Sequence, residues 1–301
     1  MNEKNGWHYL ATVGALIIWS SSFIATKVAY RTFAPITLAA ARFFVALILL
    51  WVARRVLKER VRPTWREFLP IAFSGFMGIT LYFLLENVGL TLTTASSAAL
   101  IVASFPAITL AGERIVYKTP ITLRQVAGIA LAIVGVYLIS VGSEAAEGAE
   151  NPLMGNLILL GTGIVWTAYI FSTRRVVGRF PAVTLSFYQT LAGFAGFLPF
   201  TLFEVKKWQA PDLPSLAMLL YLGALCSVAA YLMYNFGLRR LKPSTSAFLM
   251  NLVPIFGTLF SVILLGETLT WRHMAGGALV ILGVVVSVRV AQAAQAGNQA
   301  G

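Results

Sequence analysis

The chain has 301 residues, of which 58% are hydrophobic and only 11% are charged, and its mean hydropathy is +0.80. A soluble domain carries about 25% charged residues, so this composition excludes a water-soluble globular protein and indicates an integral membrane protein. The net charge of +12 does not indicate nucleic-acid binding, because the cations fall in short loops between apolar segments, where membrane topology explains them. The single cysteine, Cys226, excludes an intrachain disulfide and a multi-cysteine metal site.

Ten apolar segments are each long enough to cross a membrane as a helix, which takes about 20 residues. Their length favours helices over the short alternating strands of a transmembrane barrel. The first segment is too long for a cleaved signal peptide, so it is predicted to be the first spanning helix. In chain order the predicted helices are 8–30, 35–54, 68–90, 95–117, 121–142, 154–174, 181–203, 213–238, 243–265 and 271–292.

The Lys and Arg residues are distributed unequally between the two faces of this ten-helix arrangement. With these boundaries the face that carries the N-terminus holds 17 of the 23 cations, and the opposite face holds five. Cytoplasmic loops carry the excess of cations, so both termini are predicted to lie in the cytoplasm and the chain to span the inner (cell) membrane. The acidic linker at 143–153 has no cation and is predicted to lie outside.

The two halves of the chain carry the same landmarks in the same order. Residues 87–106 (NVGLTLTTASSAALIVASFP) and 235–254 (NFGLRRLKPSTSAFLMNLVP) both run from Asn to Pro, and GIALAIVG (128–135) matches GGALVILG (276–283). An odd number of helices in each half makes the second half enter the membrane from the opposite side. The predicted fold class is all-α integral membrane, with ten transmembrane helices in two inverted five-helix repeats around a central cavity. The predicted domains are a first repeat at 8–142, the extracytoplasmic linker at 143–153, a second repeat at 154–292 and a cytoplasmic tail at 293–301.

Several stretches resemble the EamA-type members of the drug/metabolite transporter superfamily. They are the W-x3-F pattern at Trp19 and Phe23, AARFF at 40–44, and YNFGLRRLKPSTSAFLMNLVPIFGTLFSVILLGETLTWRHMAGGALVILGVVV from Tyr234 onward. The resemblance implies a secondary transporter that moves small metabolites by alternating access. The charged end of the fourth helix resembles the YddG-type amino-acid exporters, which implies export of amino acids, bulky ones included, from the cytoplasm. Nucleosides, sugars or cationic drugs are the alternative substrates.

Polar and aromatic side chains in the middle of the predicted helices are the candidates for substrate binding. Arg42 lies about 10 Å below the outer surface, and an intramembrane cation usually faces a cavity or a partner. Three interpretations of Arg42 stay open: a carboxylate anchor, an ion pair with Glu86 that closes the outer gate, or snorkelling to the interface. The predicted substrate-binding residues are Trp19, Arg42, Tyr82, Trp166, Tyr169, Tyr188 and Asn251.

A second set of residues is predicted to act in gating. Pro106 and Pro254 each free a backbone carbonyl one turn back, which allows a kink in a moving helix. Glu86, near the outer end of the third helix, is a gate partner, a proton site or an interfacial carboxylate. The predicted gating residues are Arg42, Glu86, Pro106 and Pro254.

No pattern in the sequence indicates catalysis, a metal site or a cofactor. HExxH, GxSxG and a P-loop are all missing from it, so an intramembrane enzyme lacks its usual residues. A membrane scaffold, the other alternative, does not need two matching sets of mid-membrane Trp and Tyr. The expected partners are the lipid bilayer and a small-molecule substrate of the amino-acid class.

Overall fold

The computed structural model describes residues 3–118, 122–143, 150–176, 178–238, 249 and 252–298. Within these ranges the secondary structure is entirely helical, as the composition predicts. The α-helices are α1 (Glu3–Ala29), α2 (Pro35–Val56), α3 (Trp65–Gly75), α4 (Tyr82–Leu92), α5 (Ala95–Val102), α6 (Phe105–Tyr117), α7 (Leu123–Ser143), α8 (Pro152–Arg174), α9 (Ala182–Thr201), α10 (Leu213–Tyr221), α11 (Ala230–Leu238), α12 (Leu252–Leu265) and α13 (Trp271–Asn298).

Five helical stretches are long and apolar enough to cross a membrane, and a bent pair makes a sixth. The five stretches are Gly6–Ala29, Pro35–Val56, Trp65–Leu92, Pro152–Thr173 and Leu213–Tyr234. Large apolar side chains on the outside of the bundle, such as Phe73, Ile133 and Ile164, are more than half exposed, which suits contact with lipid and not with water. The chain is therefore an integral membrane protein.

The bent pair consists of α5 and α6, which the sequence predicts as one helix. The two helices meet at 40° across a short break. The break is a tight turn in which Ala103 N–H donates to the Leu100 carbonyl and Ser104 N–H donates to the Ile101 carbonyl. Pro106 follows as the second residue of α6, where its missing N–H costs no intrahelical hydrogen bond. The chain bends at Ala103 and Ser104, just before Pro106, and the role of Pro106 in gating stays a prediction.

Two of the long stretches contain a π-helical segment where the sequence predicts a plain α-helix. Phe76–Leu81 joins α3 to α4, and Leu222–Ala229 joins α10 to α11. A π-helical turn inserts an extra residue and shifts the side chains that follow it around the helix, and such turns are common at functional sites.

Helices α2 and α9 pack side by side and are tied together at both ends by carboxylates. The Glu204 Oε2 atom, in the 3₁₀ turn after α9, accepts hydrogen bonds from Thr37 N–H at 2.7 Å and from the Thr37 hydroxyl at 2.8 Å. The Glu59 Oε2 atom, just after α2, accepts hydrogen bonds from Thr184 N–H at 2.9 Å and from the Thr184 hydroxyl at 2.7 Å. Thr37 and Thr184 each occupy the third position of their helix, so each carboxylate caps a helix N-terminus, where a negative charge is stabilising.

Helices α7 and α13 form the most extensive helix pair in the described chain, and glycines allow their close approach. A Cβ atom added at Gly276 would lie 2.6 Å from the Gly135 carbonyl oxygen, and one added at Gly283 would lie 2.4 Å from the Gly128 carbonyl oxygen. No side chain fits at such distances, so the backbones touch directly, as small residues permit in membrane helix pairs. These glycines belong to the two matching motifs that the sequence revealed.

Candidate functional site

A central cavity opens between the helices, and its wall is mostly aromatic. The cavity and its open mouth together contain about 560 Å³ of unoccupied space. Its wall is formed by Trp19, Ser22, Phe23, Arg42, Tyr82, Phe83, Glu86, Val102, Phe105, Trp166, Tyr231 and Val253.

Arg42 supplies the one positive charge in this wall. Its side chain is only 4% exposed, and its Nε atom donates to the Ser227 hydroxyl at 2.6 Å. Ser227 uses its own proton to donate to the Leu222 carbonyl at 2.9 Å, so a lone pair of the hydroxyl is free to accept from Arg42. The guanidinium carbon lies 4.5 Å from the centre of the Phe83 ring, a cation–π contact that helps hold the group in place.

The two terminal nitrogens of Arg42 have no hydrogen-bond acceptor among the residues that the structure describes. Ser227 and the Phe83 ring fix the position of the guanidinium but leave this end of the fork without a partner. A planar guanidinium binds a carboxylate through two parallel hydrogen bonds. Arg42 therefore lines the cavity with its guanidinium held in place and its terminal nitrogens free to donate hydrogen bonds.

Glu86 supplies the one carboxylate in the cavity wall. It is 8% exposed, and its Oε1 atom accepts a hydrogen bond from the Tyr82 hydroxyl at 3.2 Å. Across the described chain the Oε2 atom has no donor. Arg42 and Glu86 thus line one cavity while each keeps a neutral hydrogen-bond partner of its own, and the ion pair between them stays a prediction for another conformation.

The two mid-membrane tryptophans both lie at the cavity wall, and each packs against a tyrosine of another helix, Tyr231 for Trp19 and Tyr82 for Trp166. Trp19 donates from Nε1 to the Cys226 carbonyl at 2.9 Å, and its ring lies 5.3 Å from Tyr231. The Trp166 ring lies 5.4 Å from Tyr82 and 5.0 Å from Tyr169. Each indole is fixed by its tyrosine neighbours, so the walls form a preformed apolar surface.

The remaining predicted binding residues lie at different distances from the cavity. Tyr169 is in a second layer, behind Trp166. Tyr188 belongs to a separate cluster, with its ring 6.2 Å from Phe68 and 5.0 Å from the Arg54 guanidinium carbon. Asn251 lies outside the described residues.

Tyr188 is predicted to bind substrate together with the other candidates, but it does not line the cavity, because it lies at a different depth in the bundle. Its neighbour Phe68 precedes Tyr82 by 14 residues along α3 and α4, which is about 20 Å at 1.5 Å per residue. Tyr188 therefore lies near the end of the bundle where α3 and α9 begin, far from the level of Tyr82.

The comparisons with known proteins agree with this architecture. The model of the EamA-like transporter family matches the chain twice, at residues 6–141 and 153–289. The chain belongs to the EamA-like transporter family. The family that the sequence motifs resemble is thereby confirmed, and the chain is a membrane transporter and not an enzyme.

Relatives of this EamA-like transporter are similar over almost their whole length. An uncharacterized transporter of Archaeoglobus fulgidus is 28% identical over 291 residues, covering 95% of this chain and 98% of the relative. A Streptantibioticus cattleyicolor protein named as a probable terminal-alkyne amino-acid exporter is 28% identical, covering 94% and 93%. A Salmonella typhimurium protein named as a probable amino-acid metabolite efflux pump is 26% identical, covering 96% of each chain.

A solved crystal structure shares the fold of this EamA-like transporter, with a TM-score of 0.65 and 20% sequence identity. The likeness covers 95% of this chain and 97% of the other. The arrangement of helices around the cavity therefore follows a fold that has been observed experimentally.

Both prolines of the predicted gating set lie next to the cavity of this transporter. The bend before Pro106 brings Val102 and Phe105 to the wall, one on each side of the break. Pro254 is buried in α12 beside Val253, which also lines the cavity. A movement at either proline would therefore change the cavity wall directly. Residues 250–251, just before α12, lie outside the described part of the chain.

Ser227 and Phe83, which hold Arg42, are absent from the predicted set. Ser227 lies in the π-helical segment Leu222–Ala229, and hydropathy carries no signal for such a segment. Phe83 was detectable in principle, because it lies one turn before Glu86 on the helix that carries Tyr82.

Proposed function

We propose that this EamA-like transporter exports amino acids from the cytoplasm and that Arg42 binds the substrate carboxylate. The observation that carries the proposal is a guanidinium, 4% exposed, whose terminal nitrogens have no acceptor in the described chain and face an aromatic cavity. Burying a cation inside a membrane is costly and needs a compensating interaction. A substrate carboxylate supplies that interaction each time the cavity is loaded.

The aromatic wall extends the proposal to the rest of the substrate. Trp19, Trp166 and Tyr82 present broad apolar surfaces next to the Arg42 site, which suit a bulky or aromatic side chain. Two of the relatives are named as exporters of amino acids or their metabolites, which supports the same class of substrate. Tyr169 contributes to the aromatic wall indirectly, because its ring packs against Trp166 and supports it.

We further propose ten transmembrane helices in two inverted repeats, working by alternating access. Three correspondences support this layout: π-helical segments at Phe76–Leu81 and Leu222–Ala229, reciprocal carboxylate caps on α2 and α9, and the glycine contacts between α7 and α13. The double match of the family model supports the same division. Two inverted repeats can exchange conformations, so that the cavity opens to one side of the membrane and then to the other.

The proposed orientation places both termini in the cytoplasm of a cell whose inner membrane holds the protein. The unequal distribution of cations supports it, with 17 of the 23 Lys and Arg on the N-terminal face. In this orientation the cavity-lining Glu86 and Arg42 lie toward the outer side. Their charges attract one another, so the two residues are suited to draw the outer ends of α2 and α4 together when the outer gate closes.

A flux screen in liposomes tests the proposed function. The full-length protein is reconstituted, and efflux of amino acids, nucleosides, sugar phosphates and cationic drugs is measured against protein-free liposomes. We expect fastest efflux for bulky amino acids, with each solute chemically unchanged. Efflux of nucleosides or drugs without amino acids would favour the alternative substrates, and chemical conversion of a solute would contradict a transport function.

A further inference from the structure

We propose that Glu86 accepts the ammonium group of the substrate, so that the cavity recognises a zwitterion by both of its charges. This inference rests on the proposed transport of amino acids and assigns to Glu86 a role beyond gating. It starts from the Oε2 atom, which has no donor in the described part of the chain although the side chain is 92% buried.

The positions of the two charged groups fit one small molecule. Phe83 and Glu86 are three residues apart on α4, so they are neighbours on one helix face, with Cβ atoms about 5–6 Å apart. The Arg42 guanidinium carbon lies 4.5 Å from the centre of the Phe83 ring. The Arg42 guanidinium and the Glu86 carboxylate therefore face the same cavity and are separated by about the width of the Phe83 side chain. An α-amino acid carries its carboxylate and its ammonium group on a single carbon atom, so one molecule can reach both.

The charge balance of the cavity selects for the same class of substrate. With Arg42 and Glu86 both ionised, the empty cavity has no net charge, and a bound zwitterion keeps it neutral. A carboxylic acid without an ammonium group would leave the Glu86 charge uncompensated, and an amine without a carboxylate would leave the Arg42 charge uncompensated. An unpaired charge in a low-dielectric site is strongly unfavourable, so both partial substrates are disfavoured.

Tyr82 and the aromatic wall position Glu86 for this contact. The Tyr82 hydroxyl donates to Oε1 at 3.2 Å, and the Tyr82 ring packs against Trp166 at 5.4 Å. One carboxylate oxygen is thus held by a rigid neighbour while the other stays available, the arrangement expected for a group that receives an ammonium donor.

The experiment compares three probes in liposomes that contain the full-length protein. L-phenylalanine carries both charges, 3-phenylpropanoate lacks the ammonium group, and 2-phenylethylamine lacks the carboxylate. Flux is measured for the parent, Glu86→Gln, Glu86→Asp and the control Glu150→Gln, which changes an exposed acid outside the cavity. Passive leak in protein-free liposomes is subtracted, and size-exclusion elution confirms that each variant is folded.

We expect the parent and Glu150→Gln to prefer L-phenylalanine over both analogues. Glu86→Gln is expected to lower L-phenylalanine flux at limiting substrate about 10- to 100-fold, the value of one hydrogen bond to a charged group. Because Glu86→Gln leaves Arg42 as the only charge, 3-phenylpropanoate then neutralises the cavity, and its flux is expected to rise. Glu86→Asp keeps the charge and is expected to retain part of the preference for L-phenylalanine.

Other outcomes separate the possible failures. If Glu86→Gln lowers the flux of all three probes by the same factor, Glu86 does not bind the ammonium group and acts in gating or proton coupling, while amino-acid transport still stands. If the parent moves none of the three probes, the proposed function fails and the assignment of Glu86 fails with it.

Discussion

Arg42 donates from its Nε atom to the Ser227 hydroxyl at 2.6 Å, and this bond joins α2 to the π-helical segment Leu222–Ala229. Ser227 fixes the plane of the guanidinium and thereby the direction in which its two terminal nitrogens point. A fixed fork loses less entropy when it binds a carboxylate. In the proposed function, the hydroxyl therefore acts on the substrate through Arg42, without touching the substrate.

Ser227→Ala is predicted to raise the KM for amino acids about 5- to 10-fold, since it removes one hydrogen bond to a charged group that can be partly replaced by water. Folding and maximal flux should change little. Liposome flux at several substrate concentrations gives both constants. As a control, Ser172→Ala removes a hydroxyl that bonds only to its own helix backbone. Equal KM values for parent and Ser227→Ala would show that Ser227 does not position Arg42.

The reciprocal caps between α2 and α9 predict a loss of stability. Glu204→Gln removes the negative charge at the α2 N-terminus and one of the hydrogen bonds to Ile36 and Thr37, which together are worth about 1–2 kcal/mol. Glu59→Gln should have a similar effect through Thr184. Thermal unfolding in detergent, followed by tryptophan fluorescence, measures the change. The exposed Glu150→Gln is the control, and unfolding temperatures equal to it would show that the caps are not stabilising.

The contact between α7 and α13 predicts a difference between two glycines. Gly276→Ala places a methyl group against the Gly135 carbonyl, so the helices must separate, at a cost of about 1–3 kcal/mol. Gly161→Ala, in α8, has open space around its new methyl group and should leave stability within about 1 kcal/mol of the parent or raise it. The same unfolding measurement compares them. If both variants unfold at the same temperature, the close contact does not exist in the membrane protein.

The proposed orientation predicts which exposed positions an impermeant thiol reagent reaches. In a variant that lacks the buried Cys226, a cysteine at Glu150 should react in intact cells, and a cysteine at Arg60 should react only after the membrane is permeabilised. Both positions are exposed, so access to each depends on the side of the membrane. The opposite labelling pattern would reverse the proposed topology.

The residues that the sequence could predict are those whose chemistry is unusual for a membrane. Arg42, Trp19 and Trp166 were detectable because a cation and two indoles in mid-membrane are costly or rare, and all three line the cavity. The sequence draws attention to Pro106 because proline has no N–H, and the structure places it in the first turn of α6, just after the bend.

The features that escaped prediction depend on helix geometry and not on residue type. The π-helical segment around Ser227 looks like a plain apolar helix in the sequence, yet it sets which atoms meet Arg42 and Trp19. Tyr188 lies in a separate cluster with Phe68 at another depth, because the residue type alone does not say how far along the bundle a tyrosine lies. The reciprocal caps were hidden because Glu59 and Glu204 lie in loops, where acidic residues are common.

The central claim is that Arg42 binds the carboxylate of an amino acid. The most direct test is the flux of L-phenylalanine and of its amide in liposomes that contain the parent, Arg42→Lys or Arg42→Ala. Arg55→Ala, an exposed arginine on the same helix, serves as the control.

We expect Arg42→Ala to lower L-phenylalanine flux at limiting substrate by about 100-fold, because two charge-assisted hydrogen bonds are lost. The flux of the amide, an amine without a carboxylate, is expected to hold or rise, because Glu86 is then the only charge left in the cavity. Arg42→Lys should give an intermediate loss, since it keeps the charge but not the planar fork. If Arg42→Ala lowers the flux of the amino acid and of its amide by the same factor, Arg42 is not the carboxylate anchor.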